Sequence, residues 1–449
     1  ARTRSHRFAV LGLVPGAAYT VTATARGPFG LVSEPKSAAY APGPMPDDFP
    51  AFEAAVSKPE KMAPGVTLFN LGRATGDPLA DFGWSWLLMV DDAGRVVWYH
   101  RARPLVSDVR RLRNGDLAYL SFDPLTFEST LEEVTPLGET AALWTASQLG
   151  VDSMHHHIEE LPNGNLVVLS NEMRAVGGYP EDLPDCPEGV CNVVGDRIVE
   201  FTRDGEVVRS WSLFDTLNPH RFVSPAFDRR LWDGLYGGAV TKDWTHTNAV
   251  VYDPSDDSFL LSCRNQDLVF KMSRETGALL WTFGVPVPGE DDGWPFLIPE
   301  YTDPGWPPSR QHSPKLLPGG RLLVYDNGNE RKFTSVVEYK IDEAAKTVRF
   351  DWHWEDPDFD PKLYAPWVGD VDALPNGNLL VADGALLRAP GDASGRVWSK
   401  ITELVQETGE KVFELRIRDD SPENPAGYEL YRAERLSLYP PAESETPSP

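Results

Sequence analysis

Positive charge is scarce in this chain: 42 Lys and Arg stand against 67 Asp and Glu, for a formal net charge of −25. An electrostatic nucleic-acid footprint needs a basic surface, so DNA and RNA are excluded as partners. Long apolar runs are missing as well. None approaches the roughly 18 residues that span a bilayer, so no membrane span is expected. Cysteine is nearly absent, with 3 residues in 449, which is too few for a disulfide scaffold. There is no GxxxxGKS/T loop and no GxGxxG after a strand, which leaves nucleotide binding unsupported. A GxSxG nucleophile turn is lacking, and no CxxC pair suggests zinc or an iron–sulfur cluster. Glycine and proline, by contrast, are plentiful at 37 and 40 residues, as in proteins built from many short strands and turns. With 14 Trp, 20 Phe and 14 Tyr, disorder is excluded for most of the length.

One unit recurs along the chain: an apolar strand, a Pro-Asn-Gly-type turn and a second apolar strand. It reads VRRLRNGDLAYLS (109–121), IEELPNGNLVVLS (158–170), AVVYDPSDDSFLLS (249–262), PKLLPGGRLLVYD (314–326) and VDALPNGNLLVAD (371–383). A second hairpin follows each, and a sixth copy comes earlier, as GVTLFNLG (65–72) and SWLLMVDDAGRVVWYH (85–100). The second-hairpin turns fall near Gly94, Gly138, Gly205, Gly277, Ala345 and Gly409. Tight glycine turns between β-rich runs are the strongest short-range hairpin signal. Six units of two hairpins give six four-stranded sheets, and radial closure hides their edges. The expected fold is all-β: a six-bladed β-propeller over residues 46–438, with no long helix.

Residues 1–45 read as the last strands of a fibronectin-type sandwich, because Leu13, Pro15, Gly16 and Tyr19 match the tyrosine-corner pattern. Some 40 residues are too few for a whole sandwich, so a remnant or truncated domain is expected. The Pro/Ser/Glu-rich tail, 439–449, is expected to be disordered. The chain opens on Ala without an apolar signal stretch and reads as a mature or truncated product. Cys186 and Cys191 close the small loop DCPEGVCN, which suits a local disulfide, two free thiols being the alternative. Cys263, in FLLSCRN, reads as a buried small hydrophobe.

Topology selects one face of the propeller. The short turns inside both hairpins of every blade lie on one face, and the links between hairpins and blades lie on the other. The long insertions (172–195, 214–245, 284–311 and 354–369) all fall on this second face, where functional loops concentrate. So do five of the nine histidines. His155, His156 and His157 precede IEELPNG, His246 stands in DWTHTNAVV, and His312 in RQHSPKLLPGG. Counted from the turn prolines Pro162 and Pro318, His156 and His312 occupy the same position, so two blades place one side chain at one depth by the axis. His246 and Asn248 enter the intervening blade at that level, on one side of a strand. Arg264 ends the returning strand and should lie beside them. His155 and His157 are expected to point elsewhere. His6, His100, His220 and His353 have no such context, and the acidic, aromatic stretch 351–360 reads as a solvated loop.

The segments DSMHHHIEELPNGN, DWTHTNAVVYDPSDDSFLLSCRNQ and RQHSPKLLPGGRLLVYDNG resemble bacterial arylsulfate sulfotransferases. The resemblance implies a periplasmic or extracellular propeller that moves a sulfuryl group from an aryl sulfate to a phenol, without a nucleotide donor or other cofactor. By motif, His312 resembles the histidine that is transiently sulfated in a ping-pong reaction, with His156, His246 and Arg264 as its catalytic partners. Asn248, His155, His157, Asn171 and Asn327 are candidate substrate contacts. A His-His-Asp run is common in that family, and His157 stands here in the Asp position. No metal is expected, since a guanidinium among the imidazoles repels one. Two rival readings stay open: a metal-dependent propeller lyase or hydrolase using the histidine cluster, and a non-catalytic binding propeller. The oligomeric state is left open, a homodimer included.

Overall fold

In the computed structural model, residues 8–74, 84–223, 225–302, 304–387, 396–418 and 427–440 are described. His6 and most of the 439–449 tail, 441–449, lie outside them. Six sheets of four or five strands account for nearly all secondary structure, antiparallel except where the short strands Thr241–Asp243 and Ile298–Pro299 add in parallel. The α-helix among the described residues is a single turn, Ala146–Leu149, with a capping box at Thr145. The chain is a six-bladed β-propeller.

Blades one to five each use consecutive strands. Their innermost strands are Val106–Arg111, His155–Glu160, Thr247–Asp253, His312–Leu317 and Asp370–Ala373. Neighbouring inner strands touch around the axis. The hairpin turns adopt the expected left-handed geometry, with positive φ at Gly115, Gly164, Gly205, Gly277, Gly377 and Gly409. Where the sequence has Ala345 instead of glycine, Lys346 takes the positive φ of 55°.

The sixth blade differs from the expected two consecutive hairpins. It takes Val66–Arg73, Ser85–Val90 and Val96–Arg101 from the front of the chain, and its inner strand, Ala433–Leu436, from the end. Chain ends thus close the ring. Ala51–Ser57 pairs with the outer strand of blade five, Lys411–Arg418, and covers that blade's edge.

Each seam between adjacent blades holds one hydrophobic cluster. Tryptophans on the outer strands staple the seams. Trp98, Trp144 and Trp211 donate Nε1–H to the carbonyls of Pro136, Arg203 and Arg274 in the following blade. At Gly205 and Gly277 a Cβ would meet the Trp144 and Trp211 rings at an ordinary 3.4 and 3.5 Å, so it is the positive φ that favours glycine there.

Before the propeller, Tyr19–Ala23 pairs with Lys36–Tyr40 as a two-stranded ribbon. The Tyr19 hydroxyl accepts a bond from the Val14 amide at 2.8 Å. Cys186 and Cys191 are joined by a disulfide. Cys263 is a free, buried thiol whose pKa burial pushes up. Among the described residues no helix is long and apolar enough to cross a membrane.

Candidate active site at the axis

The inner strands of blades two, three and four break register where they enter the loop face. Ladder shifts fall between His155 and Ile158, Thr247 and Ala249, and His312 and Lys315. Positive φ values accompany them at His156 (63°), His246 (47°) and Ser313 (49°). Bulges re-aim side chains, and here they turn imidazoles toward one another. The His156 ring lies 5.0 Å from that of His246. Tyr431, on the segment leading into the closing strand, bridges the cluster, its ring 5.7 Å from His156 and 6.1 Å from His312. Its hydroxyl donates to the Asn248 carbonyl at 3.1 Å.

His312 is 2% exposed, and its Nδ1 lies 2.7 Å from Asn327 Oδ1. Asn327 Nδ2 donates to the carbonyls of Ala365 and Val368, both at 2.8 Å. That fixes the amide oxygen toward the ring, so His312 carries its proton on Nδ1 and leaves a lone pair on Nε2. Burial first, then the nearby Arg264 charge, pulls the His312 pKa down to about 3. The imidazole is therefore neutral at physiological pH.

Arg264 sits in the link after Ser258–Cys263, held by Asn265 Oδ1 at 3.1 Å and the Pro366 carbonyl at 2.9 Å. Among the described residues its buried Nε has no partner. Burial, then Arg310 and Arg229, lowers its pKa to about 10, so it stays cationic at pH 7. Around this guanidinium the acidic protein presents a local positive field, suited to an anionic guest. His246 Nδ1 lies 2.9 Å from Asp243 Oδ2, and the other Asp243 oxygen accepts from Trp232 Nε1 at 2.9 Å. Asn248 donates Nδ2–H to the Gln311 carbonyl at 2.8 Å, and its buried Oδ1 has no partner among the described residues. That remaining acceptor suits an N–H and not a sulfate oxygen.

The histidine run separates in three directions. His156 joins the cluster, and its pKa lies well below the ordinary value through burial, then His155, His246, His312 and Arg264. His155 stands behind it, with the two Nδ1 atoms 2.8 Å apart. His157 turns into the axis, where its Nδ1 lies 3.3 Å from Arg432 Nη2 and its Nε2 3.4 Å from Glu159. Asn171 does not reach the cluster either. Its Oδ1 accepts from Ser153 at 2.7 Å, and its Nδ2 faces Asp196. Neither His157 nor Asn171 meets the imidazole cluster, and the Asn327 amide is spent on His312 and two carbonyls.

A cavity of about 190 Å³ opens beside His156, lined by apolar Trp84, Leu105, Val106, Leu430 and Tyr431 and by polar Asn70, Arg73, Ser85, Ser107 and Glu429. A cavity of about 150 Å³ has room for benzene, so this one has the size of an aromatic ring, with apolar and polar walls. Asp243, Trp232, Tyr431 and the cavity wall went unseen in the sequence. Asp243 alone carried a signal, standing three residues before His246.

A six-bladed propeller with a buried imidazole–guanidinium centre on its loop face is the class that fold and site define. The arylsulfotransferase (ASST) family profile matches residues 54–429, and the chain belongs to this family. Arylsulfate sulfotransferase AssT of Escherichia coli O6:H1 (strain CFT073) is 24% identical over 326 residues, 60% of this chain and 51% of that protein. The protein of the same name from Lelliottia amnigena is 26% identical over 215 residues, 36% of this chain and 35% of that one. The chain thus spans about half, or less, of the curated relatives it matches. A solved structure of unknown function from Bacteroides caccae aligns with TM-score 0.44 and 14% identity over 82% of this chain and 100% of its own.

Proposed function

We propose that this protein moves a sulfuryl group from an aryl sulfate to a phenol through a sulfated histidine, with no nucleotide donor and no metal. One observation carries the reading: His312 is a buried, neutral imidazole whose Nδ1 is locked by Asn327, which leaves Nε2 as a nucleophile near Arg264. Sulfuryl transfer resembles phosphoryl transfer, whose loose transition state spreads charge over three equatorial oxygens, so positioning and cationic stabilisation dominate. The Arg264 guanidinium supplies that charge. In the first half-reaction the His312 Nε2–S bond forms as the S–O(aryl) bond breaks. A neighbouring imidazole, His156 or His246, takes up a proton from solvent as the donor binds and passes it to the leaving phenolate. An acceptor phenol then returns that proton and takes the sulfuryl group from His312, and the aryl ring occupies the cavity beside His156.

The rival metal reading fits poorly, since among the described residues no three His, Cys, Asp or Glu side chains are grouped as a metal ion requires and a guanidinium stands beside the rings. A periplasmic or extracellular setting is part of the proposal, because the Cys186–Cys191 bond suits an oxidising compartment. The test is intact mass after exposure to p-nitrophenyl sulfate without an acceptor. An adduct of about 80 Da on His312, the mass of a covalently held sulfuryl group, is expected. His312→Ala should lose both adduct and turnover, whereas an adduct mapping to His156 refutes the assignment.

A further inference from the structure

Behind His156 lies a chain of buried groups. Asp196, on the third strand of blade two, is 1% exposed. One of its oxygens, Oδ2, accepts from Thr245 Oγ1 and from the Thr247 amide, each at 2.6 Å. Burial raises its pKa, and the bonds from His155, Thr245 and Thr247 outweigh that and hold it below the ordinary carboxylate value. Asp196 Oδ1 is the carboxylate oxygen facing His155 Nε2, at 3.3 Å, and that buried nitrogen makes no hydrogen bond among the described residues. The remaining nitrogen of His155 meets His156 Nδ1 at 2.8 Å. A carboxylate beside Nε2 places the His155 proton there, which makes its Nδ1 an acceptor. His156 must then donate Nδ1–H, and its Nε2 is left bare.

We infer that Asp196 and His155 are positioning residues that make His156 the proton carrier of the reaction; this rests on the proposed sulfuryl transfer. The acceptor phenol gives its O–H proton to His156 Nε2 as its oxygen bonds to sulfur and the His312 Nε2–S bond breaks. The imidazolium so formed keeps its Nδ1–H on His155, whose Nε2–H stays on Asp196, so the new charge faces a carboxylate through one ring. No proton passes beyond His156. In the donor half, His156 Nε2 takes up a proton from solvent as the sulfate ester binds, whose negative charge favours the imidazolium, and gives it to the leaving phenolate. His156 is chosen over His246 because it lines the aryl cavity, where the phenolic oxygen attaches to its ring, and His246 does not.

The test compares two donors whose leaving phenols differ in acidity. Asp196→Asn and His155→Ala should each slow transfer from phenyl sulfate about 10- to 100-fold, and transfer from p-nitrophenyl sulfate by no more than about threefold, since a good leaving group needs little protonation. KM should hold, and the double variant should be no slower than the slower single one. Asp243→Asn, which unsettles His246 instead, should slow both donors alike. Imidazole ¹⁵N NMR of the resting protein should show His155 protonated on Nε2 and His156 on Nδ1. Equal losses on both donors, additive losses, or a His156 proton on Nε2 would each overturn the inference. If the wild-type protein transferred from neither donor, the sulfuryl-transfer reading itself would fall, and the NMR would still decide the arrangement. Should Asp196→Asn not fold, His155→Ala carries the comparison.

Discussion

The nucleophile proposed at His312 must stay neutral, and that requirement has a thermodynamic signature. His312 has a pKa of about 3 in the folded chain and 6.5 as an ordinary histidine. The unfolded chain therefore binds a proton at mildly acidic pH that the folded chain refuses. For a depressed histidine the sign is destabilising as pH falls: nothing is lost above pH 7, and the penalty grows below 6.5 until it saturates near the folded pKa. At pH 5 the difference amounts to about 2 kcal/mol, from 1.36 kcal/mol per pH unit over the interval below 6.5. His156 and His157 are depressed too, so acid sensitivity in the wild type has several sources. His312→Gln, which keeps a donor for Asn327 and cannot titrate, isolates one of them. Urea unfolding of both proteins at pH 7.5 and pH 5 should show the stability gap moving by about 2 kcal/mol in the variant's favour. The sulfation burst of the wild type should meanwhile show no titration of the nucleophile between pH 5.5 and 8. Parallel stability profiles, or a burst that falls away near pH 6.5 with a nucleophile shown to titrate there, would refute the buried neutral imidazole.

Asn327→Leu should slow the p-nitrophenolate burst roughly tenfold, the value of about 1.5 kcal/mol for one hydrogen bond that selects the reactive tautomer; an unchanged burst rules out the lock. Arg264→Gln should weaken sulfation and desulfation together by about 3 kcal/mol each, because one charge serves both transition states, and single-turnover kinetics of the two half-reactions would read it. Reducing the Cys186–Cys191 bond should cost about 2 kcal/mol, as expected for so short a loop, and non-reducing alkylation should label Cys263 alone once the protein is unfolded. Replacing Leu105 by Trp should raise KM for aryl donors about tenfold by filling the cavity, with the His312 adduct still forming at saturating donor.

The blades were legible because each carries its own turn chemistry: LPNGN and DAG announce a hairpin wherever they stand. The closing strand, Ala433–Leu436, has no turn of its own and pairs with residues more than 360 positions away, so no local pattern marks it. The histidines could be placed at one level by counting from Pro162 and Pro318. Their directions could not, because a period-2 reading fails at a bulge, and His157 faces Arg432 for that reason. Asn171 and Asn327 stand equally far from the turn prolines Pro162 and Pro318, and only the contacts separate them: one holds Asp196, the other His312. Asp196 and Tyr431 gave no signal, since Asp196 meets His155 from two strands away in the same blade and Tyr431 meets its imidazoles across blades.

Closing the ring with the chain's two ends has a consequence for biogenesis. Arg432 Nε lies 2.7 Å from Asp108 Oδ1 in blade one, its Nη1 3.2 Å from Asp370 Oδ1 in blade five, and its Nη2 3.3 Å from His157 in blade two. Tyr431, its neighbour, is the shared wall between His156 and His312. A nascent chain that has made every blade but this last strand already owns its imidazoles and Arg264, yet lacks the part that spaces them. Assembly of the centre therefore waits for the end of the chain: a chain ending before Tyr431 lacks the ring that stands between His156 and His312.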